Sequence, residues 1–501
     1  MLVAPLLSIV ATASTTAPPQ VCAQYGAEGR TICATELFFD QQLDHFRFSA
    51  ASVATFKHRY LENTDSWGKP TGTPLQLPDG CPGPVLLYTG NEGPIDAFWG
   101  SNGFMVNHLA PTWGAALLFP EERYYGKSAP FGPTSLEPEQ AAFMTTEQVL
   151  ADYATVLTSW KEAHNATTCP VLAFGGSYGG TLTTYFRRVY PALTCGGLAA
   201  SAPIGYYSKS QWASHGVSQF TWIDIVQRVF STTQHGGVAC FDTLKKSVEA
   251  VAALGATADG RKTLATQLHL CSEAVLGTDP TNFLIDALET LPQMDYPYAI
   301  GSIPGWPVNA TCATAAATAD PIALASKVID MFYGYDGTHC LDGEGQGGIP
   351  GGGPGPASWG PWGYQSCTET LHQFSSSASG HGFRNFTFST DAAASTCQNL
   401  YKVQPNPRWA EQRWGGFHIG DGHTGVNHLI WSNGGLDPWH GGGFLTPIPN
   451  DDELHWFFMP QGAHHLDLRG PHPEDPPNVT ATRAAEEAIL KGWIESCPQL
   501  G

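Results

Sequence analysis

The stretch from Gly175 to Gly180 carries a serine that could act as a nucleophile. It has the pattern Gly-x-Ser-x-Gly around Ser177, with an apolar, β-prone run before it and a helix-like run, 181–190, after it. A strand, a very tight turn and a helix in this order form a nucleophile elbow, which lifts the serine hydroxyl clear of a sheet. Gly176 and Gly179 suit such a turn because they have no Cβ that would clash. The helix N-terminus beneath Ser177 favours negative charge, which is where an oxyanion would form.

The other two groups that such a serine needs occur late in the chain. Asp437 lies in a turn after a strand-like run, and His464 follows another strand-like run, 454–459. His464 would take the proton from Ser177 and return it to the leaving amine, while Asp437 would fix the tautomer of His464. The chain order Ser, Asp, His is that of α/β-hydrolases. Spacing alone does not say whether His464 or the adjacent His465 is the catalytic base.

Elements of two kinds surround these residues. In the first half of the chain, short apolar runs alternate with helix-like segments, as in a parallel sheet: 84–88, 114–119, 171–174 and 197–200. Apolar residues at helical spacing follow, which predicts helices at 223–230, 244–254, 264–275, 282–288 and 322–332. Strand-like runs return at 426–431 and 454–459. We therefore predict an α/β-hydrolase core, mostly parallel in its sheet, with an inserted helical cap domain. The predicted boundaries are a signal peptide at 1–21, core at 22–205, cap at 206–342, a Gly- and Pro-rich loop at 343–360, and core again at 361–501.

Composition and charge exclude several classes of partner. A chain of 501 residues is long enough for one large domain with an insertion. Its net charge of −20 and isoelectric point of about 5.2 make nucleic acid and anionic membranes poor partners. After the first residues, no run approaches the ~20 apolar residues that a membrane span needs. Small peptides are the expected substrates, and a homodimer is a candidate assembly.

The start of the chain and its cysteines predict export. Leu2 to Val10 is an apolar run of signal-peptide length, and a small-x-small cleavage site follows at Ala11 to Ala13. The 12 cysteines are even in number and form no Cys-x-x-Cys, which favours disulfides over zinc sites. We therefore expect the secretory pathway, a lysosomal, vacuolar or extracellular destination, no metal and no cofactor. Candidate glycosylation sequons lie at Asn165, Asn309, Asn385 and Asn478.

Ordered blocks along the mature chain resemble a family of exported serine peptidases. That family includes lysosomal Pro-X carboxypeptidase, dipeptidyl peptidase II and thymus-specific serine protease. The blocks are Phe39 to Phe46, Arg59 to Tyr60, Tyr88 to Gly93, Arg123 to Gly126, Gly175 to Gly180, Ala200 to Ile204, Trp362 to Glu369, Ser432 to Trp439 and Gly462 to Arg469. The resemblance implies an α/β-hydrolase with a helical cap that restricts access to the site. The implied activity is removal of a short piece from one end of a peptide, after proline or a small residue.

The resemblance also implies roles for single residues. Ser177, Asp437 and His464 match the family triad, which makes the first histidine of the pair the base. His465 and Arg469 match a supporting charge relay. Trp439 resembles a wall of the proline pocket, although a core tryptophan fits equally well. The oxyanion donors would be the backbone N–H of Tyr178 and one from the loop at Asn91 and Glu92.

Two further features follow from the same resemblance. Glu122 stands where relatives usually have histidine, which puts a carboxylate near the mouth of the sheet. The family's disulfides suggest the pairs Cys240–Cys312, Cys271–Cys340 and Cys367–Cys397.

Several activities remain open at this point. A carboxypeptidase needs a cation for the terminal carboxylate, and a dipeptidyl peptidase needs an acid for the terminal amine, for which Glu92 is a candidate. The stretch His472 to Pro476 is closer to dipeptidyl peptidase II, so that activity is slightly favoured over Pro-X carboxypeptidase. An esterase or general hydrolase would share the triad. A receptor without enzymatic activity would be expected to have lost one of Ser177, Asp437 or His464.

Overall fold

The computed structural model describes residues 18–47, 54–232, 236–342, 360–377, 380–421, 425–446 and 453–497. Positions 1–17 of the predicted signal peptide lie outside the described residues. The same holds for the predicted loop 343–360, apart from Gly360, at which a helix begins.

Eleven strands occur within these ranges, labelled β1 to β11 in chain order. They are Gln20–Tyr25, Arg30–Gln42, Thr55–Asn63, Val85–Tyr88, Ala116–Pro120, Val171–Gly176, Gly196–Ala200, Ser376–Ser377, His381–Phe386, Leu429–Gly434 and Leu454–Met459.

The α-helices in the same ranges are labelled α1 to α15. They are Ile95–Ser101, Ala110–Trp113, Pro138–Ala141, Thr146–Ala163, Tyr178–Val189, Thr221–Ser231, Val238–Gly255, Ala258–Gln267, Asn282–Thr290, Pro307–Ala317, Pro321–Tyr333, Gly360–Thr368, Thr390–Tyr401, Trp409–Trp414 and Pro477–Ser496. None of the helices described has both the length and the apolar character to cross a bilayer.

Nine strands form one sheet in the order β1-β2-β3-β5-β4-β6-β7-β10-β11. The six strands from β5 to β11 in this order run parallel, and β1, β2 and β3 add an antiparallel edge. The chain leaves β4 for one neighbour, β5, and then returns to the other, β6. In parallel α/β sheets, this reversal of direction is where ligands bind, at the carboxyl ends of the strands. The fold is the predicted α/β-hydrolase.

The central strands are buried on both faces, as their apolar composition requires. In β4, Val85 and Leu87 pack into one hydrophobic core, and Leu86 and Tyr88 pack into a second core on the opposite face. Helices α4 and α5 contribute to the first core and α1 and α15 to the second. The strand ends are therefore held between two packed layers.

Helices α6 to α11 enclose a hydrophobic core of their own, within the predicted cap range. Five of them overlap helices expected from the sequence, although α8 ends at Gln267, well before the expected 275, and α10 was not expected. The 3₁₀ turn Ile204–Tyr207 leads from the core toward these helices, and the Tyr206 hydroxyl donates to the Pro438 carbonyl oxygen at 2.9 Å. A second contact joins Arg228 of α6 to the carbonyl oxygen of Gly435, also at 2.9 Å. The cap helices therefore touch the turn that carries Asp437.

All twelve cysteines form disulfides, as Cys22–Cys33, Cys81–Cys169, Cys195–Cys497, Cys240–Cys312, Cys271–Cys340 and Cys367–Cys397. The three pairs that the resemblance suggests are among them. Two lie within the cap range. The pair Cys195–Cys497 joins residues 302 positions apart and connects the start of β7 to the end of α15.

Candidate active site

Ser177 occupies the sharp turn between β6 and α5. Its backbone angles, φ 60° and ψ −128°, lie in a region that non-glycine residues rarely adopt. Its N–H donates to the carbonyl oxygen of Ala200 at 2.8 Å, so the neighbouring strand β7 holds the turn. A Cβ on Gly179 would lie 2.2 Å from Asn91 Oδ1, and one on Gly175 would lie 2.1 Å from the Gly179 carbonyl oxygen. The surrounding structure therefore imposes a strained backbone on the serine, as in a nucleophile elbow.

Asp437 and His464 follow β10 and β11, at the same edge of the sheet as Ser177. Asp437 is fully buried, and its Oδ2 lies 2.7 Å from His464 Nδ1. Its other oxygen, Oδ1, accepts the backbone N–H of Trp439 at 3.0 Å. With Nδ1 bonded to the carboxylate, Nε2 is the ring nitrogen of His464 that remains for other chemistry.

The turn that carries His464 is held by residues that the sequence did not single out. The His464 N–H donates to the carbonyl oxygen of Gln293 at 2.9 Å. The Tyr296 hydroxyl donates to the His464 carbonyl oxygen at 3.0 Å. The N–H of His465 donates to Ser201 Oγ at 2.8 Å. Gln293 and Tyr296 belong to the cap range, so the cap holds the backbone of the histidine directly.

Tyr178 and Asn91 lie on either side of the elbow. Tyr178 is the first residue of α5, so its N–H is among those that the helix itself does not use. The Asn91 side chain supports the turn, because Nδ2 donates to the Gly176 carbonyl oxygen at 2.7 Å and Oδ1 accepts from the Tyr88 hydroxyl at 2.6 Å.

Two glutamates lie close to the elbow: Glu92 follows Asn91, and Glu122 contacts the side chain of Tyr178. Burial raises the pKa of Glu92, an effect that the charge of nearby His464 opposes in part. Burial raises the pKa of Glu122 well above its usual range, and the Glu92 charge adds to the rise. Glu122 Oε1 accepts from Gln365 Nε2 at 2.7 Å and from the Tyr178 hydroxyl at 3.3 Å. One oxygen of each carboxyl, Oε2, is buried without a hydrogen-bond partner among the described residues.

Trp439 belongs to an aromatic cluster beside Asp437. Its ring centroid lies 5.2 Å from that of His372, 5.9 Å from Trp222 and 6.1 Å from Phe374. Burial lowers the pKa of His372 to about 4, so this imidazole is neutral and packs as a flat ring. Trp439 is half-buried, and its indole N–H donates to Gln293 Oε1 at 2.7 Å. The cluster offers a flat apolar wall next to the Asp437–His464 pair.

His465 and Arg469 lie beneath the turn. Burial lowers the pKa of His465 well below its usual range, and the charges of His464 and Arg469 add to this. A Cβ on Gly176 would come within 3.0 Å of the His465 ring. The Arg469 guanidinium lies 4.2 Å from the ring centroid of Tyr296. His465 is thus a neutral, half-buried ring packed against the elbow.

Asp467, which is fully buried, lies between β10 and α15. It accepts a short hydrogen bond from Ser432. Burial raises its pKa and that of the neighbouring Glu486. Arg483 donates to the carbonyl oxygens of Asp467 and Leu466, at 2.9 and 2.8 Å. These contacts tie α15 to the histidine turn.

Comparisons with known proteins show the family to which the chain belongs. The model of the serine carboxypeptidase S28 family matches residues 41–486. Lysosomal Pro-X carboxypeptidase of Mus musculus is 33% identical over 495 residues, covering 96% of this chain and 92% of that protein. The Homo sapiens protein of that name is 34% identical, covering 91% and 88%. Thymus-specific serine protease of Homo sapiens is 24% identical, covering 91% and 86%. The chain belongs to the serine carboxypeptidase S28 family and is a serine-type exopeptidase.

Proposed function

We propose that Ser177, His464 and Asp437 form the catalytic triad of an exopeptidase that cleaves short peptides after proline. The observation that carries the proposal is the 2.7 Å bond between His464 and the buried Asp437, at the strand ends where the strained Ser177 lies. Ser177 attacks the scissile carbonyl while His464 Nε2 takes its proton. Asp437 holds the tautomer and stabilises the charged imidazolium.

The proposed oxyanion site lies at the start of α5. The N–H of Tyr178 and one N–H from the loop at Asn91 and Glu92 would donate to the developing oxyanion. Asn91 supports this assignment because its side chain binds the Gly176 carbonyl and so fixes the loop against the elbow. His464 then returns the proton to the leaving amine, and water hydrolyses the acyl-enzyme.

Trp439 is proposed as the wall against which the proline ring lies. A half-buried indole in a cluster of flat rings suits a rigid apolar ring. The wall stands directly beside Asp437, since the backbone N–H of Trp439 is bonded to that carboxylate. His465 and Arg469 are proposed to support the histidine turn from below.

The relatives favour action at the carboxyl end of the peptide. Two relatives at 33% and 34% identity are named lysosomal Pro-X carboxypeptidases. We therefore put Pro-X carboxypeptidase first. Dipeptidyl peptidase activity, which the stretch His472 to Pro476 slightly favours, is the second candidate. Glu92 supports the second candidate, because its buried Oε2 has no partner within the described structure and could receive an amine.

A paired assay separates the candidates. Purified protein would be given an N-blocked peptide ending in Pro-Phe and, separately, Lys-Ala or Xaa-Pro with a chromogenic amide leaving group, at about pH 5 to 6 near the titration range of histidine. Release of Phe alone supports the carboxypeptidase. Release of the chromophore alone supports the dipeptidyl peptidase. Cleavage of an ester with neither peptide cleaved would make the protein a general esterase, and Ser177→Ala must abolish whichever activity is found.

A lysosome-like compartment is the proposed destination. Six disulfides and lysosomal relatives support passage through the secretory pathway. The homodimer stays a prediction, which light scattering of the purified protein tests.

A further inference from the structure

Gln293, between α9 and α10, contacts two parts of the proposed catalytic site at once. Its backbone carbonyl oxygen accepts from the N–H of His464 at 2.9 Å. Its side-chain Oε1 accepts from Trp439 Nε1 at 2.7 Å. The two bonds, one to each end of the residue, fix both its backbone and its amide against the core.

The orientation of the amide follows from the chemistry of its partner. An indole N–H can only donate a hydrogen bond, so the amide atom facing Trp439 must be the oxygen. The nitrogen, Nε2, therefore points away from the indole with two N–H donors. Gln293 is half-buried, and no residue in the described part of the chain bonds to Nε2. A fixed pair of donors is thus left free beside the site.

Gln293 contacts the histidine that would protonate the leaving group. His464 must deliver a proton to the departing amine, so the released residue has to lie next to His464. Gln293 is bonded to the backbone of that same histidine. In a single released amino acid, the carboxylate carbon is only two bonds from the amine nitrogen. A donor next to His464 is therefore within reach of the terminal carboxylate.

We propose that Gln293 Nε2 donates hydrogen bonds to the terminal carboxylate of the residue that is released. This rests on the proposed carboxypeptidase function. The group that binds the carboxylate is the neutral side-chain amide of Gln293, which recognises it by hydrogen bonding. Arg469, a cation close to this turn, lies with its guanidinium over the ring of Tyr296. The cap would then supply both the backbone support of His464 and the contact that selects a free carboxyl end.

Two variants test the proposal while leaving the backbone bond to His464 intact. Gln293→Glu keeps an oxygen toward the Trp439 indole but replaces both donors with a negatively charged oxygen. Gln293→Met keeps the shape and removes both polar groups. Each would be compared with wild type on an N-blocked peptide ending in Pro-Phe, as the free acid and as the C-terminal amide.

For the free acid, we expect Gln293→Glu to raise KM by at least about 10-fold, the usual worth of a hydrogen bond to a charged group, with kcat changed less. Gln293→Met should show a smaller rise. The preference for free acid over amide should fall in both variants, most in the Glu variant. Labelling of Ser177 by a small fluorophosphonate, which needs no carboxylate anchor, measures separately how far each variant disturbs the triad itself.

Unchanged KM and an unchanged preference for the free acid would overturn the role of Gln293. An equal loss of kcat/KM on the free acid and the amide would also overturn this role, because it would show that Gln293 is only structural. A wild-type protein that cleaves neither peptide would instead refute the proposed carboxypeptidase function. The two failures are therefore distinguishable in one set of assays.

Discussion

At the scale of single residues, Asp437 uses its two oxygens for two tasks. Oδ2 bonds His464 Nδ1, and Oδ1 bonds the N–H of Trp439. Asp437→Asn can keep the second bond through its amide oxygen, but its NH₂ group then faces Nδ1 and selects the wrong tautomer. We expect kcat to fall by about 10⁴-fold with little change in thermal unfolding.

The chain offers a matched control for this substitution. Asp330 forms the same kind of pair with His269, at 2.8 Å, in the cap and away from Ser177. Asp330→Asn should leave kcat within about 2-fold of wild type. Substantial activity in Asp437→Asn, or an equal loss in both variants, would contradict the assignment of Asp437.

Residues that stand in a local sequence motif could be proposed from the sequence. Residues whose role depends only on tertiary contacts could not. Ser177 stands in a Gly-x-Ser-x-Gly pattern, and its strained backbone follows from that pattern. Gln293 has no local signal, because both of its partners lie more than 140 positions away in the chain. The neutral state of His465 likewise depends on burial beneath the elbow.

At the scale of elements, the elbow works only because its glycines leave room for other backbone. A Cβ on Gly179 would lie 2.2 Å from Asn91 Oδ1 and 2.8 Å from the Thr89 carbonyl oxygen. Gly179→Ala should therefore push the β4 loop away from the elbow. We expect a loss of roughly 2 kcal/mol in the free energy of unfolding, as for overpacked cores, together with a large loss of kcat.

Gly492, within α15, is the control for this change. A Cβ there meets nothing within 4 Å, and an exposed helix interior favours alanine over glycine. Gly492→Ala should be neutral or stabilise the fold by up to about 1 kcal/mol. Urea unfolding of the two variants measures both effects, and equal stability would show that the elbow has more room than the contacts indicate.

The parallel strands of the sheet were predictable, and the antiparallel strands at one edge were not. Runs such as 85–88 and 171–174 are continuous in apolar residues and fully buried, so their strands were expected. The antiparallel strands β1 to β3 mix exposed and buried residues, and their pairing is fixed by partners in the sheet. The run expected from 264 to 275 instead ends as α8 at Gln267, with a separate 3₁₀ turn at Glu273–Leu276.

At the scale of the whole molecule, more buried carboxyls have a raised pKa than buried histidines have a lowered one. Burial raises the pKa of Glu369, Asp286 and Asp295 to about 7. It also raises the pKa of five further carboxyls: Glu92, Glu122, Glu289, Asp467 and Glu486. In the unfolded chain these groups lose their protons near pH 4 to 4.5. Stability is therefore lost as the pH rises from there through the higher folded-state pKa values.

Buried histidines act in the opposite direction. Burial lowers the pKa of His58, His372, His440 and His465. These imidazoles stay neutral in the fold while the unfolded chain takes up protons below about pH 6.5, so stability is lost as the pH falls through that range. We therefore expect greatest stability between about pH 4.5 and 6.5, and a melting temperature roughly 5 °C or more higher at pH 5.5 than at pH 7.5.

The buried pair of Glu486 and Asp467 can be used to test whether buried carboxyls cause this pH dependence of stability. Glu486→Gln removes a titrating group beside Asp467. It should therefore reduce the difference in melting temperature between pH 5.5 and pH 7.5. The exposed Glu139→Gln should leave the difference unchanged. A protein that is most stable at pH 7.5 would contradict the prediction, and so would equal effects of the two variants.

The disulfide between Cys195 and Cys497 also determines what a cut in the chain would do. It closes residues 195–497 into one covalent loop. It is also the only one of the six disulfides whose two cysteines lie on either side of the Gly- and Pro-rich stretch 343–360. A single hydrolytic nick in that stretch would separate Ser177 from Asp437 and His464 along the backbone. Both pieces would nevertheless remain one molecule, seen as two bands on a gel only after reduction. The enzyme can thus exist in a two-chain form without losing any part of its proposed triad.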